Sequence, residues 1–132
     1  MPVDPDLTPF IAALQAAFPE PAESIPPAAY RARMAALGAA RPRALPPGMA
    51  VSETWVDDAA VPRLGLRIHH PRPGTTLPGL LYFHAGGWVM GSAREHEAIT
   101  ARLAAAVDAV VVSVDYRLAP ETKLPEIIDD VR

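Results

Sequence analysis

Apolar positions along the chain change their period several times, and each change marks an element. Between Asp6 and Phe18, the residues Phe10, Ile11, Leu14, Ala17 and Phe18 recur at helical spacing, and Pro19 ends the pattern. A second helix is predicted from Pro27 to Leu37, closed by Gly38, with Tyr30, Met34 and Leu37 on one side. The proline-rich stretch from Arg41 to Gly48 reads as a linker. The period then shortens to two. Val51 to Val56 alternates moderately, and Arg63 to His69 alternates clearly: Leu64, Leu66 and Ile68 face one way, Arg63, Arg67 and His69 the other. Asp57-Asp58 and Pro62 mark the connection, so the two runs predict an antiparallel pair half exposed to water.

Beyond a loop from Pro71 to Pro78, the run Leu80-Leu81-Tyr82-Phe83 is apolar throughout and reads as a strand buried on both faces. It passes directly into His84-Ala85-Gly86-Gly87-Trp88. Glycines there let the backbone turn tightly and approach a bound group, and ligands of open α/β sheets sit at the carboxyl ends of strands. Ser92, followed three residues later by Glu95, is a capping-box signature. Ile99, Leu103 and Val107 then repeat every fourth position, which predicts a helix of about 12 to 15 residues. Val110 to Val114 is a fourth, buried strand, and Pro125 opens another helix. The strand–helix–strand order implies a parallel crossover and an α/β fold. No internal repeat is present.

Composition narrows this picture. A chain of 132 residues suits one domain and can bury roughly two-thirds of its unfolded surface. Half of the residues are hydrophobic, which favours a packed core over disorder. A formal charge of -3 provides no electrostatic reason to expect nucleic acid or an anionic membrane as partner. Without cysteine there are no disulfides and no thiolate metal sites. Asp4 and Asp6 stand where a signal peptide would be basic, and Gln15 interrupts the apolar stretch after Phe10. The longest apolar run, Leu103 to Val112, is broken by Asp108 and too short to span a bilayer. The expected location is the cytoplasm.

Several side chains invite a chemical reading. Ser92 follows Gly91 but lacks the second glycine of a nucleophile elbow, so helix capping accounts for it better. Ser113 lies inside a predicted strand and is not presented for attack. His69-His70 and Arg94-Glu95-His96-Glu97 offer nitrogen and oxygen ligands, but no His-Glu-x-x-His spacing occurs, and solvated surface is the expectation over a metal site. Gly86, Gly87 and Gly91 do not form a dinucleotide fingerprint, and no Gly-Lys-Ser/Thr follows.

His84-Ala85-Gly86-Gly87-Trp88 resembles the His-Gly-Gly-Gly-Trp oxyanion loop of α/β-hydrolase esterases of the hormone-sensitive-lipase type. Asp115-Tyr116-Arg117-Leu118-Ala119-Pro120-Glu121 resembles the segment that follows the next strand in that family, in the family's order and at about its spacing. The resemblance implies a partial α/β-hydrolase fold: a mixed sheet with its first four strands in the order 1-2-4-3, preceded by two cap-like helices. Residues 1–48 would form the helical cap-like segment and 49–132 the amino-terminal half of the core. Phe10 and Leu14 would either pack on the sheet or line a substrate pocket.

The implied activity is hydrolysis of a small-molecule carboxylic ester through an acyl-enzyme, with no metal and no cofactor. Gly86 and Gly87 would supply oxyanion donors; His84, Ala85 and Trp88 would position the loop. Ala85 stands where the family usually has glycine. Asp115 is expected in a structural role beside Tyr116, Arg117 and Glu121. No Gly-x-Ser-x-Gly occurs in the 132 residues, so nucleophile, base and acid are not expected in this chain. Two other readings stay open: a non-catalytic truncated or split-gene product that pairs with a complementary half, or a small anion-binding module. In the family's strand order the third strand lacks its outer neighbour here, which makes Leu80 to Phe83 an apolar edge disposed to self-association.

Overall fold

The computed structural model of the chain describes residues 3–40, 44–57 and 63–132. It divides into two compact units, Met1–Pro42 and Arg43–Arg132. The predicted linker positions 41–43 and the predicted connection at Asp58 and Pro62 lie outside the described residues.

In the first unit a 3-10 turn, Pro5–Leu7, leads into helix α1, Thr8–Ala17. Asp4 accepts the Asp6 amide at the start, and Pro9 sits in the first turn of α1, where its missing N–H costs nothing. A second short turn, Ala22–Ser24, precedes helix α2, Pro27–Ala39. The helix runs through Gly38 instead of stopping there, and Ala40 caps it in a right-handed conformation. Phe18 and Tyr30 pack as a tilted pair with ring centroids 4.4 Å apart, and Arg33 joins the pair by reaching the Ala17 carbonyl and the Glu20 carboxylate. Neither α1 nor α2 contains a fully buried residue.

The second unit is a four-stranded sheet in the order β1-β2-β4-β3, as the resemblance implied. Strand β1, Ala50–Val56, pairs antiparallel with β2, Leu64–His70; β2 pairs antiparallel with β4, Val110–Asp115; and β4 pairs in parallel with β3, Gly79–Phe83. Helix α3, Glu97–Val107, makes the crossover from β3 to β4, and Asp108 ends it in the left-handed region. A short helix α4, Leu124–Asp129, follows β4. Among the described residues no helix is long and apolar enough to cross a membrane.

Burial departs from the apolar pattern in three places. Leu80 to Phe83 is not buried on both faces, because β3 is the outer strand of the sheet: Leu81 is 64% exposed and Phe83 40%. The repeat Ile99, Leu103, Val107 is not the fully buried stripe of its helix, and Leu103 is half-buried. Helix α3 instead buries Glu97, Thr100, Ala101 and Ala104, a set spaced i, i+3, i+4, i+7, and leaves Ile99 and Val107 exposed. Small side chains let the helix backbone lie close to the sheet, whereas the larger apolar ones would hold it away. Finally, the polar face of β2 is covered as well as the apolar one, on which Leu64 is buried. His69 is fully buried and Arg67 largely so, because α3 places the Glu97 carboxylate against them.

The opposite face has its own smaller core. Val114, Tyr116 and Ile127 form it, with Leu66, Leu118, Ala119 and Val131 packed around them. Arg117 closes this end by binding Asp130 through its side chain and backbone, with Nε–Oδ2 at 2.8 Å, and by donating to the Glu126 carbonyl. Burial by itself would raise the Asp130 carboxyl, but hydrogen bonds and charge from Arg117 outweigh it and hold the group below its ordinary value.

Candidate active-site loop

The loop that follows β3 turns because its glycines permit it. Gly86 has φ 140°, and a Cβ there would lie 1.9 Å from the Met90 carbonyl oxygen, so no side chain fits. Its own carbonyl accepts the amides of Val89 and Met90, which folds residues 86–90 into a tight turn. Gly87 has φ 60° and faces open space where a side chain would be. Among the described residues neither the Gly86 nor the Gly87 amide donates a hydrogen bond. Gly91, with φ 93°, is equally constrained, since a Cβ would meet the Ala85 carbonyl at 2.5 Å and the His84 ring at 2.6 Å. Ala85 has no positive φ: Trp88 and Asp108 are the non-glycine residues that do, among those described. An alanine therefore suits this position.

Trp88 adopts φ 63°, a left-handed conformation that costs a bulky residue about 1 to 2 kcal/mol. Such strain persists where surrounding contacts over-determine it. Here the Trp88 carbonyl accepts the Ala119 amide at 2.8 Å, and its ring tilts against Tyr116 at 5.3 Å. His84 is buried and stacked on Tyr116, with centroids 4.2 Å apart. The Tyr116 hydroxyl donates to the His84 carbonyl at 2.5 Å. That uses its one proton, so at its 3.2 Å contact with His84 Nδ1 it accepts. The imidazole is thus protonated at Nδ1, which also points to the Ala85 carbonyl at 3.1 Å. Burial, then the nearby Tyr82, pushes the Tyr116 hydroxyl up, so it stays a proton donor. The two sequence motifs are in this way one structural unit, with Tyr116 and Ala119 of the second holding His84 and Trp88 of the first.

Other candidates take structural places. The Asp115 carboxylate accepts the Ala93 amide at 2.6 Å and ties the end of β4 to the segment before α3. Ser92 accepts the Glu95 amide at 3.1 Å, as a cap would, but the helix it was expected to start begins only at Glu97, so it caps the preceding turn. Ser113 is fully buried on the α3 side. His69 and Glu97 are not solvated surface: Glu97 binds Arg67 across the helix–sheet interface, and both ring nitrogens of His69 lack a hydrogen-bond partner. Burial lowers the His69 pKa, which Glu97 opposes and Arg67 reinforces. Among the described residues no three His, Cys, Asp or Glu side chains gather to hold a metal. His96, expected as solvated surface, is half-buried: its Nδ1 lies 2.9 Å from the Tyr82 hydroxyl and its ring is 5.7 Å from that of His84. Its spacing from Tyr82 and His84 announces nothing, since the contact is made by the turn at 92–96.

Comparison with known proteins bears on the fold. Residues 80–132 match the family model described as the alpha/beta hydrolase fold. The chain has the α/β-hydrolase fold. Its sequence is 42% identical over 87 residues to esterase LipI of Mycobacterium tuberculosis, covering 64% of this chain and 27% of that protein. Carboxylesterase NlhH of the same organism is 37% identical over 90 residues, covering 67% and 28%. A hyperthermophilic esterase from Pyrobaculum calidifontis superposes with a TM-score of 0.75 at 31% identity, over 98% of this chain and 41% of that one. The chain thus spans little more than a quarter of the length of those curated relatives.

Proposed function

We propose that the chain supplies the oxyanion loop of a carboxylic-ester hydrolase acting through an acyl-enzyme. The observation that carries the proposal is the pair of uncommitted amides at Gly86 and Gly87, in a turn that follows the carboxyl end of a parallel strand. In acyl transfer the tetrahedral intermediate bears an oxyanion, and each pre-organised N–H aimed at it contributes about 3 to 4 kcal/mol. His84, Ala85 and Trp88 hold the loop, and the positions 1–48 act as a cap-like segment before the core at 49–132. Similarity to esterases supports a small-molecule ester as substrate. Nucleophile, base and acid lie outside these 132 residues, and the cytoplasm is the proposed location. The apolar edge of β3 takes a complementary half of the sheet or a second copy.

The test has two arms. The 132-residue chain alone is expected to show neither stoichiometric labelling by a fluorophosphonate nor turnover of a short-chain nitrophenyl ester. Joined to a segment carrying a Gly-x-Ser-x-Gly elbow, it is expected to gain both, and Gly86→Ala in that assembly to lose about a hundredfold or more in kcat. Labelling of the chain alone, or an assembly indifferent to Gly86→Ala, would overturn the proposal.

A further inference from the structure

We infer that His96 is a positioning residue for the Gly86–Gly87 loop, acting through Tyr82 and His84; its catalytic consequence rests on the oxyanion reading proposed above. Three contacts place it. The His96 Nδ1 is 2.9 Å from the Tyr82 hydroxyl of β3, and its ring lies 5.8 Å from the Tyr82 ring and 5.7 Å from the His84 ring. The residue itself is held from behind. It is the cap of α3, its carbonyl accepts the amides of Ile99 and Thr100, and the next residue, Glu97, is anchored to Arg67 of β2. A rigid helix end thus presents an imidazole to the strand and loop that carry Gly86 and Gly87.

The protonation state of that imidazole decides what it does. His84 carries its proton on Nδ1, as its two oxygen contacts require. Burial, reinforced by the neighbouring His84, lowers the His96 pKa and keeps the ring neutral near pH 7. A neutral His96 with its proton on Nε2 accepts the Tyr82 hydroxyl proton at Nδ1. Protonation of His96 converts Nδ1 from acceptor to donor, so the Tyr82 hydroxyl must turn. It also sets a cation beside His84 in a partly buried space. The groups facing His96 are Tyr82 from β3 and His84 from the loop, with Tyr116 behind His84. Glu95 and Glu97 are its chain neighbours, and Glu97 is engaged by Arg67. Any effect of that protonation reaches the turn through the groups that His96 contacts, Tyr82 and His84.

The experiment uses the 132-residue chain labelled with 15N-glycine, whose eight glycines keep the spectrum simple even in an assembly. Between about pH 8 and about pH 5, the Gly86 and Gly87 amides are expected to shift together with the His96 ring resonances, at a midpoint below the ordinary imidazole value, while Gly74 stays still. His96→Gln is expected to remove that titration from both amides. Tyr82→Phe, which deletes one hydroxyl and keeps the ring, is expected to reduce its amplitude at least twofold. Gly86 and Gly87 amides that do not follow His96, or that titrate unchanged in both variants, would overturn the role. No ester is present in this measurement. Failure of ester hydrolysis in a complete assembly would therefore count against the oxyanion reading and leave the titration standing.

Discussion

The two faces of the sheet contrast in a way their sequences do not advertise. On the α3 side stand Arg67, His69, Val111, Ser113, Leu80 and Tyr82; on the other stand Leu66, Ile68, Val112, Val114, Leu81 and Phe83. The second set is more apolar, yet Leu81 and Phe83 are its exposed members, while His69 and Ser113 of the first set are fully buried. Hydrophobicity sets which residues gain from burial, but a surface is buried only where another element complements it. Helix α3 complements the polar face because Ala101 and Ala104 allow close approach and Glu97 answers Arg67. Among the described residues α4 covers the other face around Val114, Tyr116 and Leu66.

The sharpest way to break this contrast is to remove the charge that α3 answers. Arg67→Leu leaves Glu97 inside the helix–sheet interface without its guanidinium, and uncompensated buried charges of that kind cost about 3 to 5 kcal/mol. Arg67 also binds Glu53, but Glu53 is exposed and contributes little by comparison. Urea unfolding of the variant is expected to show a loss in that range. A loss under about 1 kcal/mol would mean that the pair is solvated and that α3 is held by apolar contact alone.

This ion pair also marks the limit of what the sequence discloses. The sheet order and the glycine turn were legible, because each follows from a local run with a known preference or from a motif resemblance. Gly86 is an example: its turn needs a conformation that only glycine adopts, and the pattern shows it. Arg67 and Glu97 are thirty positions apart on different elements, and nothing local links them. The buried face of α3 was hidden for another reason. Thr100, Ala101 and Ala104 carry little hydropathy, so the larger Ile99, Leu103 and Val107 dominated the reading. Counting small residues as candidates for close packing would have put Thr100, Ala101 and Ala104 among them. His96 was out of reach, since its site is made by the turn that brings it over Tyr82.

Acidification sharpens the comparison with a smaller effect. His69 and His96 both have pKa values below the ordinary 6.5, chiefly through burial. The unfolded chain therefore takes up protons at a higher pH than the folded one, and stability falls as pH drops from about 6.5 through the lowered values. Below those values this contribution is lost entirely. Asp130, whose pKa is held down, adds a second loss as pH falls below about 3.8. His69→Leu removes two nitrogens that have no partner as well as one of the two depressed histidines. At neutral pH it is expected to be neutral or stabilising by about 1 kcal/mol, with a shallower acid slope measured by chemical denaturation. An unchanged slope would assign the acid sensitivity to groups on the open face or elsewhere, and not to the covered one.

The smallest effect on folding is expected on the open face, where the largest effect on assembly should occur. Leu81 and Phe83 lose little when the monomer unfolds, because both are already exposed. Replacing them with lysine is expected to change unfolding free energy by no more than about 0.5 kcal/mol each. Among the described residues β3 pairs only with β4, so its outer backbone groups are a template for another strand, and the apolar side chains beside them extend the surface that a partner would bury. Lysine on an edge strand opposes both modes of contact through charge and solvation. Size-exclusion chromatography with light scattering should accordingly show the unsubstituted chain self-associated at tens of micromolar and the Leu81→Lys/Phe83→Lys double variant monomeric. A cooperatively unfolding monomer before any substitution would mean that the edge is covered from within the chain. An assembly that survives both lysines would place the contact elsewhere, with the exposed Ile99 and Val107 of α3 the next surface to charge.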